Sequence, residues 1–238
     1  MKLLIVLMVV LFIFCSFLIE KADTVADNVD IVDKYENTID DCSLYNKVPD
    51  TIVIQLYQII KDFHEIAENN GLSYWITGGT LIGAIRHSGF ISWDDDIDIG
   101  IEEKDLELFL SLKKQLEQIG YQVVEFPLFG YKIFGQGEKT WIDVFLFKQE
   151  KDKFILAYEE ARNTWPQEFF SLVSINEKQL YKFGEIYLLG PSRAIPYLNR
   201  SYKDWHINGH YWGGHGSNCN AITWKLSEED FEPAKPFR

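Results

Sequence analysis

The sequence predicts an α+β domain, an α/β arrangement built on a mixed sheet, and three stretches carry that prediction. Apolar residues spaced three and four apart mark an amphipathic helix over residues 50–70. An alternation of acid with Ile marks a strand over 95–101, and a nearly unbroken apolar run marks a buried strand over 141–147. Of 238 residues 47% are hydrophobic, with 17 Phe, 12 Tyr and 7 Trp, so there is ample material for one core and no sign of bulk disorder.

Taken in order, Met1-Lys2 precedes an uncharged apolar run from Leu3 to Ile19, followed by Glu20, Lys21 and Asp23. The run is long for a signal-peptide core and short for a membrane span. A signal-anchor over 1–20 is the preferred reading, with Lys2 on the cytoplasmic side; cleavage after Ala26 is the alternative. The first reading makes the chain a single-pass type II membrane protein with a luminal domain in the Golgi or endoplasmic reticulum, the second a secreted one. Residues 21–48 are acidic and polar and read as a stem, leaving 49–238 as the catalytic domain.

Within that domain Asp50 is expected to cap the first helix, whose apolar stripe runs through Val53, Leu56, Ile60 and Phe63 and stops at Gly71. A short strand follows over 72–77, then a Gly78-Gly79 turn and a brief helix over 80–86. A patterned helix is expected over 102–119, ended by Gly120, with further strands at 121–126, 131–134 and 141–147. A hairpin around Gly184 and a helix beginning near Pro191 come next. The tail from His206 reads as loop.

The formal net charge of −13 argues against a nucleic-acid partner, because phosphate contacts need Lys and Arg. It does not exclude a phosphorylated small molecule, since a divalent metal masks carboxylates at a site.

The chemistry concentrates in Trp93-Asp-Asp-Asp-Ile-Asp-Ile-Gly100. On a strand Asp94, Asp96 and Asp98 share one face while Asp95, Ile97 and Ile99 point the other way, and three close carboxylates repel unless a cation sits among them. Such an oxygen-rich set suits Mg2+ or Mn2+. Asp143 is the single ionisable residue in Trp141-Ile-Asp-Val-Phe-Leu-Phe147, and a lone carboxylate there is costly unless paired or metal-bound. On a neighbouring strand it would complete a two-metal site. A solvated acidic loop is the bland reading, but alternation with Ile and the buried Asp143 weigh against it. An EF-hand fails because Ile99 stands where that loop needs Gly.

Gly78, Gly79 and Thr80 at a helix start favour a phosphate ligand. Arg86 and His87 lie between the two motifs; they would touch a pyrophosphate, or Arg86 would brace the acidic strand by ion pairing. His206, His210, His215 and Cys219 are spaced for zinc, against ordinary loop histidines. Cys42 and Cys219 would form a luminal disulfide or remain buried thiols, and Asn199 heads the one N-glycosylation sequon.

The stretch Thr77-Gly-Gly-Thr-Leu-Ile-Gly-Ala-Ile-Arg-His-Ser-Gly-Phe-Ile-Ser-Trp-Asp-Asp-Asp-Ile-Asp-Ile-Gly100 resembles the signature of the LicD family, which includes bacterial phosphocholine transferases and animal fukutin and fukutin-related protein. Similarity extends to Trp141-Ile-Asp-Val-Phe, Trp165-Pro-Gln-Glu-Phe-Phe and Tyr197-Leu-Asn-Arg-Ser-Tyr-Lys-Asp-Trp205, spanning about residues 50–212. The resemblance implies a nucleotidyltransferase fold, with Asp96 and Asp98 as paired metal carboxylates, Asp143 as third acid and Asp94 as the acid before the pair. It implies transfer of a phospho-alcohol, phosphocholine or ribitol phosphate, from a CDP-linked donor to a glycan or glycoprotein acceptor, releasing CMP. Ser92 and Lys203 depart from the Pro and Gly usual at those motif positions, away from the expected ligands. Two other readings stand beside it: a luminal metal-dependent glycosyltransferase, and a silent binding partner of glycan-modifying enzymes.

Overall fold

The computed structural model describes residues 47–135, 137, 139–211 and 221–237, all within one compact unit. The apolar run over 1–20, most of the stem, Cys42, His215 and Cys219 lie outside the described residues. Among the described residues no helix is long and apolar enough to cross a membrane.

Helix α1 spans Asp50–Asn70 and buries Val53, Leu56, Tyr57, Ile59, Ile60, Phe63 and Ala67, the helical stripe expected of it. Asp50 is its first residue rather than its cap: Pro49 occupies the cap position and its carbonyl accepts from Ile52 and Val53. Gly71 ends it in the left-handed conformation, φ 73°. Strand β1 (Tyr74–Ile76) leads into α2 (Gly78–Arg86), and β2 spans Ile97–Glu102. The single helix expected over 102–119 is a 3₁₀ turn at Glu103–Asp105 followed by α3 (Leu106–Ser111) and α4 (Lys113–Gln118), separated at Leu112. Strands β3 (Gln122–Phe126), β4 (Gly130–Phe134) and β5 (Trp141–Glu150) follow.

These strands lie in the order β1-β2-β5-β4-β3, extended by β6 (Lys153–Leu156) against β5 and β7 (Phe169–Ser171) against β6. The β2–β5 pair is parallel and the other pairings are antiparallel, so the sheet is mixed as expected. A parallel pair needs a long crossover, and residues 103–140 supply it. In β2 the residues Ile97, Ile99 and Ile101 are buried on one face, which turns Asp98 to the other.

The chain after β6 carries more structure than its pattern suggested: α5 (Glu159–Thr164), β7 and α6 (Leu172–Asn176). The hairpin around Gly184 forms as β8 (Gln179–Phe183) and β9 (Ile186–Gly190), and α7 spans Ala194–Ser201. The tail is not loop throughout: β10 (Asn208–Tyr211) and β11 (Ile222–Lys225) pair antiparallel, and a 3₁₀ turn covers Glu228–Phe231.

Candidate active site

The site forms where β1 hands over to α2. Gly78 has φ +51° and opens the helix, so the two glycines are its first turn rather than a free loop. Thr77 N donates to Asp98 O at 3.1 Å, Gly79 N to Asp98 Oδ2 at 2.9 Å, and Asp98 N to Thr80 Oγ1 at 2.8 Å. A Cβ on Gly78 would stand 2.0 Å from Asp98 Oδ2, and one on Gly79 would stand 2.3 Å from Asp94 Oδ2. The glycines are therefore required by close approach of the acids themselves. Their amides, expected to meet a phosphate, already have partners inside the protein: Gly78 N donates to Tyr197 Oη at 3.2 Å and Gly79 N to Asp98. Thr80 is buried with its hydroxyl accepting from the Asp98 amide.

Asp98 and Asp143 are register partners across the parallel β2–β5 pair. With Asp96 they offer three ligand oxygens lying within 4.8 Å of one another. Asp94, Asp95 and Asp96 make a second such group. Strand alternation was expected to turn Asp95 away from its neighbours, but residues 94–96 precede the first residue of β2, so the alternation does not govern them. Asp94 lies beside Gly79 rather than in the sheet-borne trio.

Burial, and then the charges of Asp98, Asp94, Asp143 and Asp95, push Asp96 well above the usual carboxylate range. Burial also raises Asp98, to about 8, reinforced by Asp143 and Asp94 and opposed by the Gly79 amide. Asp143 is buried, and its Oδ1 has no aligned hydrogen-bond donor. Three repelling carboxylates at this spacing fit a divalent cation with hard oxygen ligands.

Three contributors were not read from the sequence. Lys132 on β4 is the register partner of Asp143, and its Nζ lies 2.6 Å from Asp143 Oδ1, close enough for an ion pair though off the direction of a hydrogen bond. Tyr197 on α7 accepts from Gly78 N and lies 3.0 Å from Thr77 Oγ1. It donates to Glu168, a half-buried carboxyl whose charge also reaches Asp98. Lys132 stands out in the sequence only once the strands are placed in register, since it sits in an ordinary aromatic strand, Tyr131-Lys-Ile-Phe134.

Arg86 and His87 are held elsewhere. Arg86 Nη1 donates to the carbonyls of Trp205 and Asn208, and its guanidinium stacks over Trp93 at 5.7 Å. His87 is buried, with Nε2 2.8 Å from Asp230 O. Both bind the C-terminal segment, a task not read from the sequence, while Arg86 is also within electrostatic reach of Asp94, in line with the bracing reading. Asn199 is exposed on α7, its Oδ1 accepting from Trp205 Nε1 at 3.0 Å. His210 Nδ1 lies 3.0 Å from Thr223 Oγ1, and among the described residues no histidine joins a cluster of metal-ligating groups.

A family model described as "LicD/FKTN/FKRP, nucleotidyltransferase domain" matches residues 71–202. Uncharacterized protein RP689 of Rickettsia prowazekii (strain Madrid E) is 37% identical over 192 residues, covering 77% of this chain and 70% of that protein. Lipopolysaccharide cholinephosphotransferase LicD of Haemophilus influenzae is 48% identical over 54 residues, 23% of this chain and 20% of that one. Ribitol 5-phosphate transferase FKRP of Homo sapiens is 46% identical over 41 residues, 17% of this chain and 8% of its own length. The match thus spans only a small part of either named enzyme. The family match over residues 71–202 takes in Gly78, Gly79, Asp96, Asp98 and Asp143. The chain belongs to the LicD/FKTN/FKRP nucleotidyltransferase-domain family.

Proposed function

We propose that this chain transfers a phospho-alcohol group, of the phosphocholine or ribitol phosphate type, from a CDP-linked donor to a hydroxyl of a glycan or glycoconjugate. The observation that carries the reading is the register of Asp98 with Asp143 across a parallel strand pair, with Asp96 within 4.8 Å of both. The names of its relatives, a cholinephosphotransferase and a ribitol 5-phosphate transferase, support the class of group moved.

Asp96 and Asp98 would hold Mg2+ or Mn2+, whose charge offsets that of the donor diphosphate. The acceptor oxygen bonds to the phosphorus bearing the alcohol, the anhydride bond to that phosphorus breaks, and CMP leaves. Asp143 faces the pair from the neighbouring strand, where it orients the acceptor hydroxyl and takes its proton. Gly78 and Gly79 let Asp98 and Asp94 pack against the backbone, and Thr80 fixes Asp98 through its amide. The glycines' part in the reaction is thus to set the acids in place.

The test is CMP release by the full chain from CDP-choline and CDP-ribitol, with Mg2+ or Mn2+ and then with chelator. Release should need the metal. Asp98→Asn should lower it by at least about 100-fold, the loss typical of removing one group that meets transition-state charge, while circular dichroism stays unchanged. Turnover in chelator, a fully active Asp98→Asn protein, or a nucleoside diphosphate product in place of CMP would overturn the reading.

A further inference from the structure

Three neighbouring strands carry one row of charged side chains. Asp98 on β2 is the register partner of Asp143 on β5, and Asp143 is the register partner of Lys132 on β4. Register partners on one face of a sheet have adjacent Cβ atoms, so the row runs carboxylate, carboxylate, ammonium. Lys132 is not a surface lysine reaching inward by chance. Its side chain is 12% exposed, and that of Asp143 is 8% exposed. The ammonium lies 4.8 Å from the Phe126 ring centroid and 4.9 Å from that of Trp141, so two aromatic faces hold it against Asp143. Trp141 also donates from Nε1 to Asp143 Oδ2 at 3.0 Å. Each oxygen of Asp143 therefore meets a positive or donor group of the chain itself.

This differs from an open two-metal site. There the third acid shares a second cation with the pair, and that cation supplies half of the charge. Here a cation is already built in at the outer side of Asp143. We infer that Lys132 takes the place of the second metal ion, so that the site would hold a single divalent cation on Asp96 and Asp98, with Asp143 set between that pair and Lys132. The charges agree: three carboxylates, one ammonium and one divalent ion are neutral together, whereas two divalent ions leave an excess of positive charge. Of the neighbouring acids, Asp94 is within electrostatic reach of Arg86, and Glu168 of Arg200.

The inference rests on the metal reading proposed above but predicts something that reading leaves open, the number of ions. Its test is Mn2+ binding to the full chain without nucleotide, followed by electron paramagnetic resonance of the free ion. The wild-type chain should bind one Mn2+. Lys132→Met should bind a second, or bind the first at least ten times more tightly, because the competing ammonium is gone. Lys132→Arg keeps the charge and should behave as wild type. Two ions on the wild-type chain, or a Lys132→Met protein with unchanged stoichiometry and affinity, would overturn the inference while leaving metal use intact. So would a Lys132→Arg protein that matches Lys132→Met. No Mn2+ binding by the wild-type chain would overturn the metal reading and the inference with it. If Lys132→Met does not fold, Lys132→Gln replaces it, and the wild-type stoichiometry remains decisive alone.

Discussion

The two ends of α2 face opposite kinds of neighbour. At its start Gly78 and Gly79 lie against carboxylates, which approach so closely that no Cβ fits. At its end Arg86 and His87 point to backbone carbonyls of Trp205, Asn208 and Asp230 in the C-terminal segment. The first end collects like charges and is stable only with help; the second neutralises buried donors with acceptors and needs none. A nine-residue helix thus joins a site under electrostatic strain to a clasp that is fully satisfied. Burial alone does not distinguish function from structure: Asp96 and His87 are both buried, but Asp96 is crowded by four other carboxylates, whereas the one like charge on His87, Arg86, is opposed by Asp230.

The largest effect that would break this contrast is at the strained end. Gly78→Ala places a methyl 2.0 Å from Asp98 Oδ2 and holds a non-glycine residue at φ +51°. The backbone cost is about 1–3 kcal/mol, and the carboxylate must also move. A clear fall in melting temperature together with loss of Mn2+ binding is expected. Gly79→Ala should cost less, because Gly79 does not carry the positive φ of Gly78 and Asp94 lies outside the sheet-borne trio. Equal losses from the two substitutions would remove the claim that Asp98 is the acid the glycines serve.

The strained end was legible in the sequence and the clasp was not, for a physical reason. Asp96, Asp98, Gly78 and Gly79 fall within twenty-one residues of one another, and a lone acid in an apolar run exposes Asp143 without any knowledge of pairing. Arg86, His87 and Lys132 look ordinary in their local context. Their roles depend on contacts with chain 119 to 143 residues away, or on a strand register that follows from no local pattern. Element boundaries shifted in the same way: helical periodicity runs through 102–119, but the chain breaks at Leu112, whose own side chain is buried in the core. The short β7 and α6 offer too few residues for a period to show.

A pH titration of stability sharpens the comparison because the two ends should respond with opposite sign. Asp98 is raised from 3.8 to about 8, so the folded metal-free chain takes up a proton that the unfolded chain has lost, and stability falls as pH rises through that interval. His87 is lowered by burial, and then by Arg86, from 6.5 to about 4, so its contribution is present above 6.5 and is lost as pH falls toward 4. Between 6.5 and 8 the acids act alone. Thermal melts of the metal-free chain should therefore drop in that window, and Asp98→Asn or saturating Mn2+ should flatten the slope. A flat metal-free profile would mean the carboxylates are not crowded as the geometry indicates.

The smallest effect belongs to the clasp. Arg86→Lys keeps a charge near Asp94 but cannot present one planar group to both the Trp205 and Asn208 carbonyls while stacking on Trp93. Losing one such hydrogen bond costs about 0.5–1.5 kcal/mol, so the melting temperature should fall modestly. Mn2+ affinity and the KM for a CDP-linked donor should change by less than about twofold, since a loss of uniform binding is what would raise KM. The opposite pattern, a raised KM with no change in melting temperature, would mean that Arg86 reaches the donor phosphates after all. The two ends of α2 would then belong to one site, and the division between strained acids and satisfied clasp would have to be redrawn around the guanidinium.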